Sequence, residues 1–117
     1  MYKTAKNPND LEKYFIERAN AGDVEGLVAL YESNAVIADG QIIVAEGQSQ
    51  IREFFTNFLV NCPQFASSDQ AEALCVGELA LTSSRTSSGD VTAEVARRQP
   101  DGSWLWVIDQ FTLGNIK

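Results

Sequence analysis

Apolar positions along the chain change their period partway, and the change divides it into two kinds of element. Leu11, Tyr14, Phe15 and Ala19 fall on one face of a helix that Gly22 ends. Asn7-Pro8-Asn9-Asp10 reads as its start, with Asn7 as cap, Pro8 in the first helical position and Asp10 near the positive end of the helix. Asp23 can cap a second helix in which Val24, Leu27, Val28 and Tyr31 repeat at i, i+3, i+4 and i+7. Residues 35–39 and 42–45 form a small hairpin around Gly40-Gln41, and Ile51, Phe54, Phe55, Phe58 and Leu59 stripe a third helix that Cys62-Pro63 stops.

From about residue 69 the period drops to two. Strands are expected at 70–76, 78–86, 91–99 and 104–113, with turns at Gly77, at Ser87-Ser88-Gly89-Asp90 and at Pro100-Asp101-Gly102. Short turns make neighbouring strands antiparallel. Helices first and strands later predict one α+β domain over residues 1–117, three N-terminal helices lying on an antiparallel sheet. In strict alternation the last strand puts Trp104, Trp106 and Ile108 on one face, and Leu105, Val107, Phe111 and Leu113 on the other. Both faces want cover and the helices supply one, so a homodimer through the sheet is expected.

Composition narrows the chemistry. A chain of 117 residues that is 44% hydrophobic can bury a core without staples. The net charge of −7, nine basic side chains against sixteen acidic, repels phosphate backbones, and Arg97-Arg98 in a strand would point to opposite faces; nucleic acid is not an expected partner. No apolar run is long enough to span a bilayer and the first residues lack a signal-peptide core, which predicts a cytoplasmic protein with no membrane contact. Cys62 and Cys75 fit no metal spacing and are expected to be reduced. With no histidine, nucleophile–histidine pairs are excluded, and no glycine-rich phosphate loop occurs, so neither a metal nor an organic cofactor is expected.

Three carboxylates stand out. Asp39 follows Ala35 and Ile37 on one strand face, just before a turn; it is either a turn aspartate bonding its own backbone or a general base at a pocket mouth. Asp109 shares its alternating face with Val107 and Phe111, where a charge needs a partner, Arg97 or Arg98, or else a wet or ligand-filled space. Glu94 lies in its strand between the small Ala93 and Ala96, on a face with Thr92, Ala96 and Arg98, as an ion-pair partner or beside the room for a ligand that small neighbours leave.

The run from the first helix through the NAGD turn, LVALYESNAVIADG, AEGQSQIREFF and EVARRQPDGSWLWVIDQF resembles the nuclear transport factor 2-like superfamily over almost the whole chain, closest to its SnoaL-like and ketosteroid-isomerase-like members. The resemblance implies the cone-shaped, cystatin-like fold: a curved sheet around the helices, an apolar pocket for a small hydrophobic molecule, and usually a dimer. It places Asp39 where ketosteroid isomerases keep their proton-shuttling aspartate, Glu94 near their oxyanion-binding acid and Asp109 where SnoaL-like cyclases keep a pocket acid. Their oxyanion-binding tyrosine corresponds to Phe15, with Tyr14 adjacent on the helix. Pocket-lining positions implied with these are Tyr14, Phe15, Tyr31, Phe54, Phe55, Phe58, Arg98, Val107 and Phe111. Two readings follow: a dimeric binding or association module with an apolar pocket, or a cofactor-independent isomerase or cyclase in which carboxylates move a proton next to a carbonyl.

Overall fold

A computed structural model describes residues 2–61 and 63–115. Helix α1 runs Asp10–Asn20, α2 Val24–Val28 and α3 Gln48–Phe58, followed by one 3-10 turn at Leu59–Asn61. Strands are β1 Tyr31–Asp39, β2 Ile42–Glu46, β3 Asp69–Gln70, β4 Leu74–Val76, β5 Leu79–Thr82, β6 Ser84–Arg85, β7 Asp90–Arg98 and β8 Trp104–Asn115.

Helix α1 starts later than its sequence suggests. Pro8 and Asn9 form a turn, and the capping runs backwards: the Asp10 carboxylate accepts from the Asn7 backbone N–H at 3.2 Å, while the Asp10 N–H donates to the Asn7 carbonyl at 3.0 Å. Asp23 caps α2 as expected, accepting from the Gly26 N–H at 3.0 Å. That helix stops at Val28, and Tyr31 opens β1 instead of extending it. The Leu30 carbonyl accepts from the Trp106 N–H at 2.9 Å, so pairing with the last strand captures the chain before another turn of helix can form.

The sheet order is β2-β1-β8-β7-β5-β4, with β6 continuing beside β7 and β3 paired to β6. Every pairing is antiparallel except β1 with β8, which is parallel, so the curved sheet is mixed. No hairpin joins those two strands, and nothing in a short turn dictates their direction. The expected strand 70–76 is split because Asn9, at the start of α1, donates to the Ala71 carbonyl at 3.1 Å and accepts from the Ala73 N–H at 3.2 Å. The strand expected at 78–86 breaks at Ser83, whose hydroxyl donates to the Thr92 carbonyl at 2.6 Å.

Strand β8 departs from strict alternation, and the departure decides the site. Trp106 pairs with Ala96 but Ile108 pairs with Val95, leaving Val107 as the extra residue of a β-bulge. One added residue reverses the faces beyond it. Trp104 and Trp106 are buried on the helix side, and after the bulge Asp109 joins them there while Ile108 turns out to solvent. The expectation that Asp109 shares a face with Leu105 and Val107 is therefore corrected. Two rows result on the inner surface: Tyr31, Trp106, Ala96 and Ala80, then Ile37, Asp109, Glu94 and Thr82.

The helices cover the first row. Leu11 and Phe15 of α1, Leu27 and Val28 of α2, and Ile51 and Phe55 of α3 are buried with Trp106 and Ile37 in one core. Phe15 sits at its centre, edge-on to Phe55, Phe65, Trp106 and Phe111 with ring centroids 5.8–6.2 Å apart.

Candidate functional site

Beyond the core the second row is not filled by apolar side chains, and a cavity of about 240 Å³ opens over it. Phe15 and Ile16 of α1, Phe58 of α3, Phe65, Trp106 and Phe111 form its apolar walls. Glu94, Asp109 and Glu12 enter it from three elements, with Asp39 exposed at the rim. The segment 63–68 closes one side: Phe65 is held by Asn20, which accepts from its N–H at 2.7 Å and donates to its carbonyl at 3.0 Å.

Glu94 and Asp109 stand directly opposite each other in the β7–β8 ladder, at 4% and 3% exposure. Each accepts a hydrogen bond from a hydroxyl. Thr82 donates to Glu94 Oε1 at 2.7 Å, and the Tyr31 phenol donates to Asp109 Oδ2 at 2.5 Å. No arginine answers them: Arg97 pairs with Glu32 at 2.9 Å and Arg98 with Glu78 at 2.8 Å, and both arginines are exposed. Arg98 is thus neither the partner of Asp109 nor a wall of the cavity.

Burial without a counter-charge raises both acids. Desolvation pushes Glu94 up to about 7, with the Thr92 and Thr82 hydroxyls holding it down and the Glu12 charge pushing it further up. Asp109 lies well above the ordinary aspartate range, first from desolvation, then from the Glu94 charge, with the Tyr31 hydrogen bond opposing. Tyr31 is raised well above an ordinary phenol by burial and by Asp109, which keeps it a donor at neutral pH.

Of the residues expected to line the pocket, Phe15, Phe58 and Phe111 do so. Tyr31, Phe54 and Phe55 lie behind that wall: Phe55 is fully buried, Phe54 stacks on Phe58 at 5.5 Å, and Tyr31 reaches the site only through Asp109. Val107 is spent on the bulge and does not face the cavity. Tyr14 is on the far side of α1 beside Arg18, whose guanidinium lies 5.2 Å from its ring, so it does not replace the hydroxyl missing at Phe15. The tyrosine hydroxyl that touches the acids comes from Tyr31 instead.

Sequence reasoning passed over Glu12 and Thr82. Glu12 accepts from the Ser68 and Ser84 hydroxyls at 2.9 and 2.8 Å. Its signal was its place three and four residues before Phe15 and Ile16, on their side of the helix. Thr82 was legible in the run Ala80, Thr82, Ser84, small side chains on one strand face that leave room beside them. The indole N–H of Trp106 is buried with no acceptor among the described residues. Among those residues no three acids or cysteines are arranged to hold a metal ion, and no helix is long and apolar enough to cross a membrane. Cys75 is exposed on β4, while Cys62 lies outside the described residues.

No family model matches the sequence, and no curated protein matches it. Solved structures do. A candidate ketosteroid isomerase from Parabacteroides distasonis superposes with a TM-score of 0.69 at 20% identity, over 93% of this chain and 85% of that one. A candidate dehydratase of the nuclear transport factor 2-like family from Streptomyces avermitilis gives 0.68 at 17% identity, over 87% and 89%. A cystatin-like protein of unknown function from Nostoc punctiforme gives 0.68 at 20% identity, over 87% and 84%. The chain has the cystatin-like, nuclear transport factor 2-like fold.

Proposed function

We propose that this protein binds a small, largely apolar molecule in the cavity and moves a proton on it, with Glu94 and Asp109 sharing one proton as an acid–base pair. The observation that carries this is the placement of two nearly fully buried carboxylates side by side, facing an apolar cavity, with no cation to neutralise them. Breaking up a core in this way costs several kcal/mol and brings no stability in return, whereas a proton-transfer site requires it. Two acids that cannot both ionise leave one protonated to donate and one ionised to accept. Tyr31 occupies Asp109 Oδ2, which leaves Oδ1 for the work, and Thr82 occupies Glu94 Oε1.

The reaction class that suits such a pair is removal of a proton next to a carbonyl, with the enolate oxygen accepting a hydrogen bond from the protonated acid. Two of the similar structures are described as a candidate isomerase and a candidate dehydratase, reactions that move protons on small molecules. Asp39 is a third acid, exposed at the rim of the cavity.

The test is deuterium uptake next to the carbonyl of small cyclic ketones in heavy water, followed by NMR. Wild type should catalyse uptake, and Asp109→Asn and Glu94→Gln should each lower it by about a hundred-fold or more. Wild-type rates in both variants would overturn the mechanism. Assembly completes the reading: on the outer surface Leu74, Leu81, Val95, Ile108 and Val36 align across five strands as an apolar row, which a second copy of the chain would cover.

A further inference from the structure

The charge around the cavity has one sign. Glu12 enters from α1, Asp39 from β1, Asp90 and Glu94 from β7 and Asp109 from β8. The remaining walls, Phe58 of α3 and Phe65, Ala66 and Ser68 of the closing segment, carry no titratable group. No lysine or arginine among the described residues lines the space. Glu94 and Asp109 are both more than nine-tenths buried, and Asp109 keeps Oδ1 without a hydrogen bond from any described residue. Facing these acids are aromatic rings, whose faces carry partial negative charge.

From this arrangement we infer that the cavity takes a small organic cation, a positively charged nitrogen on an apolar body of one or two rings. The inference rests on the cavity being a small-molecule site. It names the class of molecule, which the proposed chemistry leaves open. Size follows from volume: a cavity of about 150 Å³ accepts benzene, so about 240 Å³ accommodates a ring with a compact charged substituent. Charge follows from the walls. Carboxylates attract a cation directly, aromatic faces add to that attraction, and an anion meets repulsion from the acids. A metal ion does not suit the site, since no three acids converge on one point among the described residues.

The cation also has a consequence for the pair. Without it, burial favours the protonated form of both acids, raising Glu94 to about 7 and Asp109 well above the ordinary aspartate range. A positive charge beside them favours loss of one proton to solvent, leaving a singly ionised pair of net charge −1 against a ligand of +1. That is the protonation state in which one member is an acid and the other a base. Substrate charge would then set the site in its working form, and the proton returns from solvent when the ligand leaves.

The experiment is titration calorimetry with benzyltrimethylammonium, whose charge does not depend on pH, against its uncharged carbon counterpart neopentylbenzene and against acetophenone. The cation should bind at least about ten-fold tighter than neopentylbenzene at about pH 8. Its affinity should fall about ten-fold between about pH 8 and pH 6, with heats that depend on the buffer because protons are released below about pH 7. Glu94→Gln and Asp109→Asn, near-isosteric changes whose folding is checked by thermal unfolding, should each flatten that dependence. Equal or tighter binding of neopentylbenzene, or cation affinity that rises as pH falls, overturns the inference. Binding of acetophenone without the cation overturns it too, yet leaves the proton-transfer reading standing. Failure of all three probes to bind overturns both.

Discussion

Glu94 on β7 and Asp109 on β8 are direct cross-strand neighbours on the inner surface of the sheet, each steadied by hydroxyl donors and neither by a cation. Like charges placed opposite one another destabilise a sheet, so their coexistence depends on a shared proton.

Stability should therefore depend on pH at this pair in the direction opposite to an ion-paired acid. The folded-state value of Glu94 is raised, from 4.5 to about 7. The protein then binds more protons than the unfolded chain between those values, and the contribution, full below about 4.5, is lost as pH rises through about 7. The difference in unfolding free energy between wild type and Glu94→Gln should shift by on the order of 3 kcal/mol from acid to mildly alkaline pH, in favour of the variant at high pH. Denaturant melts at several pH values measure it, and a constant difference would contradict the buried, uncompensated carboxylate.

Tyr31→Phe removes the donor to Asp109 Oδ2 while leaving the ring in place beside Trp106. The hydrogen bond opposes the upward shift of Asp109, so the variant should titrate Asp109 at still higher pH. Loss of a bond to a charged or partly charged acceptor should cost about 1–3 kcal/mol. Carboxyl NMR titration and chemical unfolding report the two effects separately.

The bulge at Val107 can be tested by length as well as by side chain. Deleting Val107 would return β8 to strict alternation and turn Asp109 outward and Ile108 inward, or force the strand to slip. Both outcomes should abolish catalysed deuterium uptake and destabilise the fold by more than Val107→Ala, which keeps the residue count and should cost about 1 kcal/mol. Unfolding midpoints and near-ultraviolet circular dichroism of Trp106 would show the difference. A deletion variant with native activity would mean that the bulge does not place Asp109.

The outer apolar row gives a charge-insertion test. Leu81 and Ile108 are each 47% exposed, and Val95 lies between them in the ladder. Leu81→Glu or Ile108→Glu should convert a dimer to a monomer in light scattering with little effect on the monomer's own fold, since neither side chain belongs to the core. Wild-type mass equal to one chain at every concentration would remove the dimer.

Much of the fold was legible because its causes are local. The helical stripes of α1 and α3, the Asp23 cap and the turns at Gly77 and Gly102, both with positive φ, are written in neighbouring residues. Tyr31 misled because i+7 spacing from Val24 suits a helix, whereas a distant strand claims the chain at Leu30. Arg98 misled because alternation places it on the face of Glu94, yet at the end of β7 a closer acid, Glu78, is within reach.

The sequence by itself determined which acids could matter, since without histidine little else could move a proton, and it determined that helices precede a sheet. Tertiary structure alone decided that Glu94 and Asp109 meet. Their meeting depends on one unpaired residue at Val107, on strand pairing across the whole chain and on a hydroxyl from Tyr31, and none of these relations is encoded in the spacing of residues near either acid.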